Sequence, residues 1–142
     1  MRILGIDYGE ARVGIAITDP LGITAQGLET INRNGSDKVI LRKLDELMQK
    51  YEIETIVVGM PLHLNGTISE RAKITQEFIH KLKCKYNKIK IETVDERLTT
   101  VEAHKTMIFL DINKNKKKNI VDTISAVYIL ETYINKQKWL YL

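Results

Sequence analysis

The sequence predicts an α/β protein in which one mixed sheet of five strands carries helices on both faces. The chain opens with three β-type segments in succession, which is typical of an antiparallel meander. It then alternates between helical and β-type segments, which favours parallel strands joined by helices. A length of 142 residues suits one such unit, so we assign residues 1–142 to a single domain.

The strands are predicted from apolar runs bounded by turn residues. Residues 2–7 and 13–18 are apolar runs separated by a glycine-containing turn, and residues 24–31 form a weaker third strand. Residues 55–59 form an unbroken apolar run, as expected of a parallel strand that is buried on both faces. Residues 89–94 alternate between apolar and polar side chains and form the fifth predicted strand.

Helices are predicted where apolar side chains recur at intervals of three and four residues. Residues 36–51 and 69–82 fit this spacing, and each begins with a serine, a residue that favours helix N-termini. Two further helices are predicted after the fifth strand, over residues 99–110 and 120–134. Residues 111–119 between them are polar and rich in lysine, and they are interpreted as a mobile loop.

The composition is that of a soluble globular protein, with 44% apolar and 28% charged residues. No apolar run approaches the ~20 residues that cross a bilayer, so no membrane association is expected. The single cysteine, Cys84, cannot form an internal disulfide, and no Cys/His spacing suggests zinc. These features predict a cytoplasmic protein.

The charge is mildly basic and is concentrated in two lysine-rich stretches. A net charge of +4 permits a polyanionic partner without requiring one. Lysines crowd residues 81–90 and 114–118. For either stretch alone, a solvated surface is an equally good interpretation.

Acidic side chains stand at three places that a shared site could use. Asp7 ends the first predicted strand, and Asp95 and Glu96 follow the same pattern at the end of the fifth. Asp122 lies in the first turn of the last predicted helix. Each acid also has a plainer interpretation: Asp7 as a turn residue, the pair as a surface ion pair with Arg97, and Asp122 as an anion stabilised by the helix dipole.

Taken together, these carboxylates have the chemistry of a site for hard divalent cations. Mg²⁺ and Mn²⁺ prefer oxygen ligands, and two-metal phosphodiesterases hold ions roughly 3.5–4 Å apart between several carboxylates. Carboxylates from two strand ends and one helix satisfy that requirement if the fold brings them together. We therefore predict a phosphodiesterase site that takes one or two Mg²⁺ or Mn²⁺ ions.

Four short motifs follow one another along the chain. They are Ile-Leu-Gly-Ile-Asp-Tyr-Gly from residue 3, Val-Gly-Met-Pro-Leu from residue 58, Val-Asp-Glu-Arg-Leu-Thr-Thr from residue 94, and Lys117-Lys118 with Asp122 and Ala126. In order and spacing they resemble the YqgF family of Holliday-junction-resolvase-like proteins, also called pre-16S rRNA nucleases. Because the motifs extend over nearly the whole chain, the protein is identified as a member of that family.

The resemblance implies a ribonuclease H-like fold, a cytoplasmic location and a nuclease that matures the 5′ end of pre-16S rRNA. It also implies that Asp7, Asp95, Glu96 and Asp122 form the catalytic acidic cluster. Asp7 and Asp122 are expected to hold metal together with one member of the Asp95–Glu96 pair. Motif position favours Asp95 as that third ligand, because Asp95 is closer to the strand.

Further residues of these motifs are candidates for contacting the substrate. They are Gly9, Arg12, Arg97, Lys116, Lys117 and Lys118. The arginines could hold phosphates through paired hydrogen bonds, and the glycine would let the backbone approach a phosphate or an adjacent strand. The lysines precede Asp122 and would overhang the site, where they would grip a phosphate backbone independently of base sequence.

Several alternatives stay open from the sequence alone. Structured RNA is the favoured substrate, with a DNA junction or a non-catalytic nucleic-acid-binding module as alternatives. The ATP-binding fold of sugar kinases and actin also opens with an Ile-Asp-x-Gly strand, but it needs two domains. Both a monomer and a homodimer are compatible with the sequence, and the apolar tail at residues 139–141 is a candidate dimer surface.

Overall fold

A computed structural model describes residues 1–63, 65–96 and 114–140, with side chains in the last range described from residue 123 to 138. Five strands and three helices make up this described part. In chain order they are β1 (Arg2–Tyr8), β2 (Arg12–Thr18), β3 (Ala25–Asn32), α1 (Lys38–Lys50), β4 (Ile53–Met60), α2 (Glu70–Lys85), β5 (Lys90–Asp95) and α3 (Lys114–Leu140). The helix predicted over residues 99–110 lies outside the described residues.

The strands form one mixed sheet in the order β3-β2-β1-β4-β5. The first three strands are antiparallel neighbours, whereas β4 and β5 run parallel to β1. This arrangement confirms the predicted meander followed by α/β alternation. It also places the carboxyl ends of β1, β4 and β5 at one edge of the sheet, where sites collect in folds of this kind.

Helices cover both faces of the sheet, as predicted. On one face, α1 and α2 bury a core that includes Leu4, Ile6 and Tyr8 of β1. On the other face, α3 packs through Ala126, Ile129, Leu130 and Tyr133 against Ala16, Val57 and Val94. Because successive side chains of a strand point to opposite faces, the residues between those core positions of β1 face α3.

Serines stand at the starts of the first two helices, in different roles. The Oγ of Ser69 accepts a hydrogen bond from the Ala72 N–H at 3.0 Å and caps α2, as predicted. Before α1 the cap position belongs to Asp37, and Ser36 accepts a bond from the Lys38 N–H at 3.2 Å instead. The side chain of Asp37 makes no cap hydrogen bond.

The last helix is longer than the sequence predicted. It begins at Lys114, so the interpretation of residues 114–119 as a mobile loop is wrong, and the tail continues the helix to Leu140. Lysine is a good helix former, and packing of later turns on the sheet stabilises a polar first turn. Asp122 therefore lies eight residues into α3, beyond the turn in which the helix dipole acts, and the dipole interpretation of this acid fails.

The described helices include none that is both long enough and apolar enough to cross a membrane.

Candidate active site

Asp7 lies at the carboxyl end of β1 between two glycines. The antiparallel ladder pairs it with Gly14 of β2. The parallel ladder pairs Ile6 with Val58, so the next residue of β4, beside Asp7, is Gly59. Neither neighbour of Asp7 therefore carries a side chain of its own on this face of the sheet. Ile6 and Tyr8 face α1 and α2, so Asp7 lies on the α3 face, where it is only 8% exposed.

The Glu96 side chain lies over Gly59, on the same face of the sheet as Asp7. A Cβ added to Gly59 would lie 2.6 Å from Oε1 of Glu96 and 2.6 Å from Cδ1 of Ile129. The Glu96 carboxylate therefore fills the space that a side chain at position 59 would take. Neighbouring strands are about 4.8 Å apart, so this space is one strand away from Asp7. The structure thus places both carboxylates on the α3 face of the sheet, at neighbouring strand positions.

Asp95 is directed to the opposite face of the sheet. The β4–β5 ladder pairs Gly59 with Val94 and Met60 with Asp95. Val94 packs in the core beneath α3, so strand alternation turns Asp95 toward the side of α1 and α2. Motif position favoured Asp95 over Glu96 as the partner of Asp7, whereas the geometry favours Glu96.

Helix α3 crosses the sheet above this pair. At one end of the crossing, the hydroxyl oxygens of Thr123 and Thr30 are 3.0 Å apart, which ties α3 to β3. In the middle, a Cβ added to Gly5 would lie 2.9 Å from the Ala126 carbonyl oxygen. Such a close approach requires glycine on the strand and small residues on the helix. Asp122 lies on α3 one turn before Ala126. The structure describes its backbone but not its side chain.

The described residues fit a divalent cation in their donor chemistry. Both acids offer carboxylate oxygens, the ligands that Mg²⁺ and Mn²⁺ prefer, on the same face of the sheet. Among the described side chains, no group of three or more His, Cys, Asp or Glu could hold a metal. The third predicted ligand, Asp122, falls outside that search.

Two of the predicted substrate contacts, Gly9 and Arg12, lie at the turn after β1. Gly9 donates its N–H to the Arg12 carbonyl oxygen at 3.0 Å. A Cβ at Gly9 would lie 2.6 Å from that oxygen, so glycine is required to close the turn. Arg12 begins β2 two residues before Gly14 and therefore lies on the α3 face with Asp7. Arg97 and the side chains of Lys116, Lys117 and Lys118 lie outside the described residues.

The lysine-rich stretch at residues 81–90 is largely engaged in ion pairs. Lys81 pairs with Asp37 at 2.9 Å, Lys85 with Asp45 at 2.8 Å, and Lys90 with Glu92 at 3.3 Å. These contacts support a structural role for the stretch over a cationic binding face.

Asp37 is a buried carboxylate on the α1 and α2 face of the sheet, opposite Asp7. No sequence pattern marked Asp37 as a site residue. Its Oδ1 accepts hydrogen bonds from the Tyr8 hydroxyl at 2.5 Å and from Arg33 Nε at 2.9 Å. Its Oδ2 accepts one from Lys81 Nζ at 2.9 Å. Burial alone would raise the pKa of Asp37, but the three donors outweigh burial and hold the pKa below its ordinary value of 3.8.

We expect Asp37→Asn to destabilise the protein at neutral pH but not in strong acid. A folded-state pKa below the unfolded value means that ionised Asp37 stabilises the fold above pH 3.8, and that this contribution is lost as the pH falls through the folded value. The variant should lose about 2 kcal/mol at pH 7, the usual worth of hydrogen bonds to a charged group. Unfolding measured between pH 7 and pH 2.5 checks this, and a difference that stays constant with pH would contradict it.

Comparison with known proteins gives a consistent result over the whole chain. The family described as "RuvX: Holliday junction resolvase" matches residues 1–136. A "Putative pre-16S rRNA nuclease" of Acetivibrio thermocellus is 48% identical over 137 residues, 96% of this chain and 97% of the relative. A relative of the same name from Ruminiclostridium cellulolyticum is 50% identical over 136 residues, 96% of this chain and 95% of the relative.

Solved structures show the same fold at much lower identity. Thermus thermophilus RuvC in complex with a Holliday junction substrate is 12% identical, with a TM-score of 0.56 over 96% of both chains. The fowlpox virus Holliday junction resolvase is 16% identical, with a TM-score of 0.55 over 96% of this chain and 99% of the other.

The strand order, the helix above the acidic face and the likeness to these resolvases define a protein of ribonuclease H-like fold. The chain belongs to the RuvX family of Holliday junction resolvases, and this confirms the predicted YqgF membership.

Proposed function

We propose that this protein is a metal-dependent nuclease that hydrolyses phosphodiester bonds and processes the 5′ end of pre-16S rRNA in the bacterial cytoplasm. The observation that carries the proposal is the meeting of Asp7 and the Glu96 carboxylate beside Gly59, at the carboxyl ends of parallel strands. Membership of the RuvX family supports the reaction class. The names of relatives 48% and 50% identical support the choice of RNA.

In this proposal Asp7, Glu96 and Asp122 hold one or two Mg²⁺ or Mn²⁺ ions. Bound there, the metal would activate water and stabilise the leaving oxygen of a phosphodiester. Glu96 takes the ligand position that the motif suggested for Asp95, because strand alternation directs Asp95 to the other face. Asp122 joins through α3, whose residues 123–129 cross the sheet above the pair.

Positive side chains around these acids would bind and orient the phosphate backbone. Arg12 lies on the α3 face beside Asp7, where a guanidinium could form paired hydrogen bonds with a phosphate. We assign the same general role to Arg97 and to the lysines at the start of α3. Such contacts do not depend on base sequence, so recognition of the cleavage site would come from the shape of the RNA.

The test compares cleavage of RNA and DNA by the same preparation. A transcript carrying the 5′ leader of 16S rRNA and a four-way DNA junction are incubated with the protein and Mn²⁺, with EDTA as the control. We expect Mn²⁺-dependent cleavage of the transcript near the mature 5′ end. Preferential cleavage of the junction would favour a DNA resolvase instead. Binding without cleavage of either substrate would refute the nuclease and favour a binding module.

Replacing Lys116, Lys117 and Lys118 together by alanine should weaken nucleic-acid binding and reduce its salt dependence. Each lost phosphate contact lowers the slope of log affinity against log salt by about 0.7–0.9, so three contacts lower it by about 2–3. Binding of the transcript between 50 and 200 mM salt measures this slope. The triple replacement of Lys83, Lys85 and Lys88 removes the same charge elsewhere and is the control. If both variants showed the same slope of log affinity against log salt, Lys116, Lys117 and Lys118 would not be the residues that contact phosphate.

A further inference from the structure

Tyr8, the residue after Asp7, is held by three different contacts on the opposite face of β1. Its ring stacks on Phe78 of α2, with centroids 4.2 Å apart and planes 17° apart. The guanidinium of Arg33 lies 5.2 Å from the ring centroid. Its hydroxyl donates a hydrogen bond to Asp37 at 2.5 Å. These contacts leave the Tyr8 side chain little freedom to move.

The acceptor of that hydrogen bond is itself held from several elements. Asp37 directly precedes α1, Arg33 follows β3, and Lys81 lies on α2, and both cations bind the Asp37 carboxylate at 2.9 Å. The Tyr8 hydroxyl therefore belongs to a hydrogen-bonded cluster with Asp37, Arg33 and Lys81. This cluster links the end of β1 to both helices on this face of the sheet. A charge-assisted hydrogen bond in such a cluster is stronger and more directional than a neutral one.

The two ladders of β1 extend to different residues at its carboxyl end. The parallel ladder with β4 extends from Arg2 to Ile6, whereas the antiparallel ladder with β2 continues to Tyr8. In the antiparallel register Asp7 pairs with Gly14 and Tyr8 with Val13 of β2. Side-chain contacts at Tyr8 supply support where the second ladder has ended.

We propose that the Tyr8–Asp37 pair is a positioning device that holds the end of β1 so that Asp7 stays aligned with Glu96. The inference rests on the proposed function in that Asp7 is taken as a metal ligand. Asp7 and Tyr8 are adjacent and face opposite sides of the same strand, so any rotation of the strand end moves both side chains. Sites of this kind need their ligands held to within a fraction of an ångström.

A second pair of the same chemistry lies at the other end of the sheet and provides a matched control. Tyr86, at the C-terminus of α2, donates its hydroxyl to Asp45 at 2.6 Å. The same carboxylate pairs with Lys85 at 2.8 Å, as Asp37 does with Lys81. Burial and the carboxylate partner raise the pKa of both tyrosines. Tyr86 precedes β5, far from the acidic edge.

The experiment compares Tyr8→Phe with Tyr86→Phe, each of which deletes one hydroxyl and keeps the ring. Amide hydrogen exchange at Gly9, whose N–H bonds to the Arg12 carbonyl, is followed in the metal-free protein. Affinity for Mn²⁺ alone is measured by titration. We expect Tyr8→Phe to accelerate Gly9 exchange and to weaken Mn²⁺ binding on the order of 10-fold, as for loss of an outer support of a metal ligand. Tyr86→Phe should change neither, although both variants should lose similar thermal stability.

Unchanged Gly9 exchange in Tyr8→Phe would overturn the inference, and so would equal acceleration in both variants, which would indicate a global effect. Should Tyr8→Phe fail to fold, Asp37→Asn is measured in its place; it weakens the acceptor of the Tyr8 hydroxyl and should accelerate Gly9 exchange relative to the wild type, and unchanged exchange would overturn the inference. The exchange measurement needs neither metal nor substrate. A wild-type protein that cuts no nucleic acid would therefore count against the proposed function and not against the positioning role.

Discussion

Asp7→Asn is expected to lower Mn²⁺-dependent cleavage by about 100-fold or more while leaving the protein folded. Asparagine keeps the shape of the side chain but removes a negative charge and an anionic ligand, and a metal supplies several kcal/mol of transition-state stabilisation. Asp7 and the Glu96 carboxylate lie at neighbouring strand positions on one face, so loss of the Asp7 charge also reduces repulsion between the two acids. Initial rates at saturating Mn²⁺, with thermal unfolding of the same samples, measure both effects.

The matched control for this variant is Asp45→Asn. Asp45 lies on α1, pairs with Lys85 and is well removed from the acidic edge, so it tests the same chemical change without touching the site. We expect Asp45→Asn to cut at the rate of the wild type. If Asp7→Asn did so too, Asp7 could not be a ligand of the catalytic metal.

The fold could be predicted from the sequence because its signals are local. Alternation and apolar runs placed four strands within one residue of their observed bounds, and β4 began two residues earlier than expected. The weakest prediction was β3, observed from Ala25 to Asn32. This strand lies at the edge of the sheet and is mostly only partly buried, so its apolar pattern is incomplete.

The start of α3 and the hydrogen bonds of Asp37 could not be predicted because they depend on distant parts of the chain. The polar residues after Lys114 show no helical spacing of apolar side chains. They form the first turns of a helix whose later turns pack on the sheet. The partners of Asp37 include Tyr8 and Lys81, 29 and 44 residues away in sequence. Only the tertiary fold brings these groups to one carboxylate.

The sequence also could not predict which of Asp95 and Glu96 lies on the same face of the sheet as Asp7. Motif position placed Asp95 nearer the strand, but the face that each side chain takes depends on the register of β5 against β4. A shift by one residue exchanges the two faces. The absent side chain at Gly59 then decides which acid has room beside Asp7, and no local pattern marks that glycine as different from a turn or packing glycine.

Gly59→Ala is expected to lower Mn²⁺-dependent cleavage by about 10-fold or more with a modest loss of stability. The added Cβ would lie 2.6 Å from both Glu96 Oε1 and Ile129 Cδ1. The Glu96 end is flexible and can move aside, whereas Ile129 is fully buried, so the substitution should cost about 1–3 kcal/mol. The Glu96 carboxylate would then leave the space next to Asp7. Cleavage rates and unfolding free energies of the variant measure the two effects separately.

Gly22→Ala separates this displacement from a general effect of adding a methyl group. Gly22 has a φ of +69° in the turn between β2 and β3, and the nearest atom to an added Cβ is Ile3 Cδ1 at 3.8 Å. Alanine there should cost about 1 kcal/mol through backbone strain alone, at the end of the sheet away from the acids. We expect full cleavage by Gly22→Ala. Full cleavage by Gly59→Ala as well would mean that Glu96 does not act from the α3 face and would refute its assignment as a metal ligand.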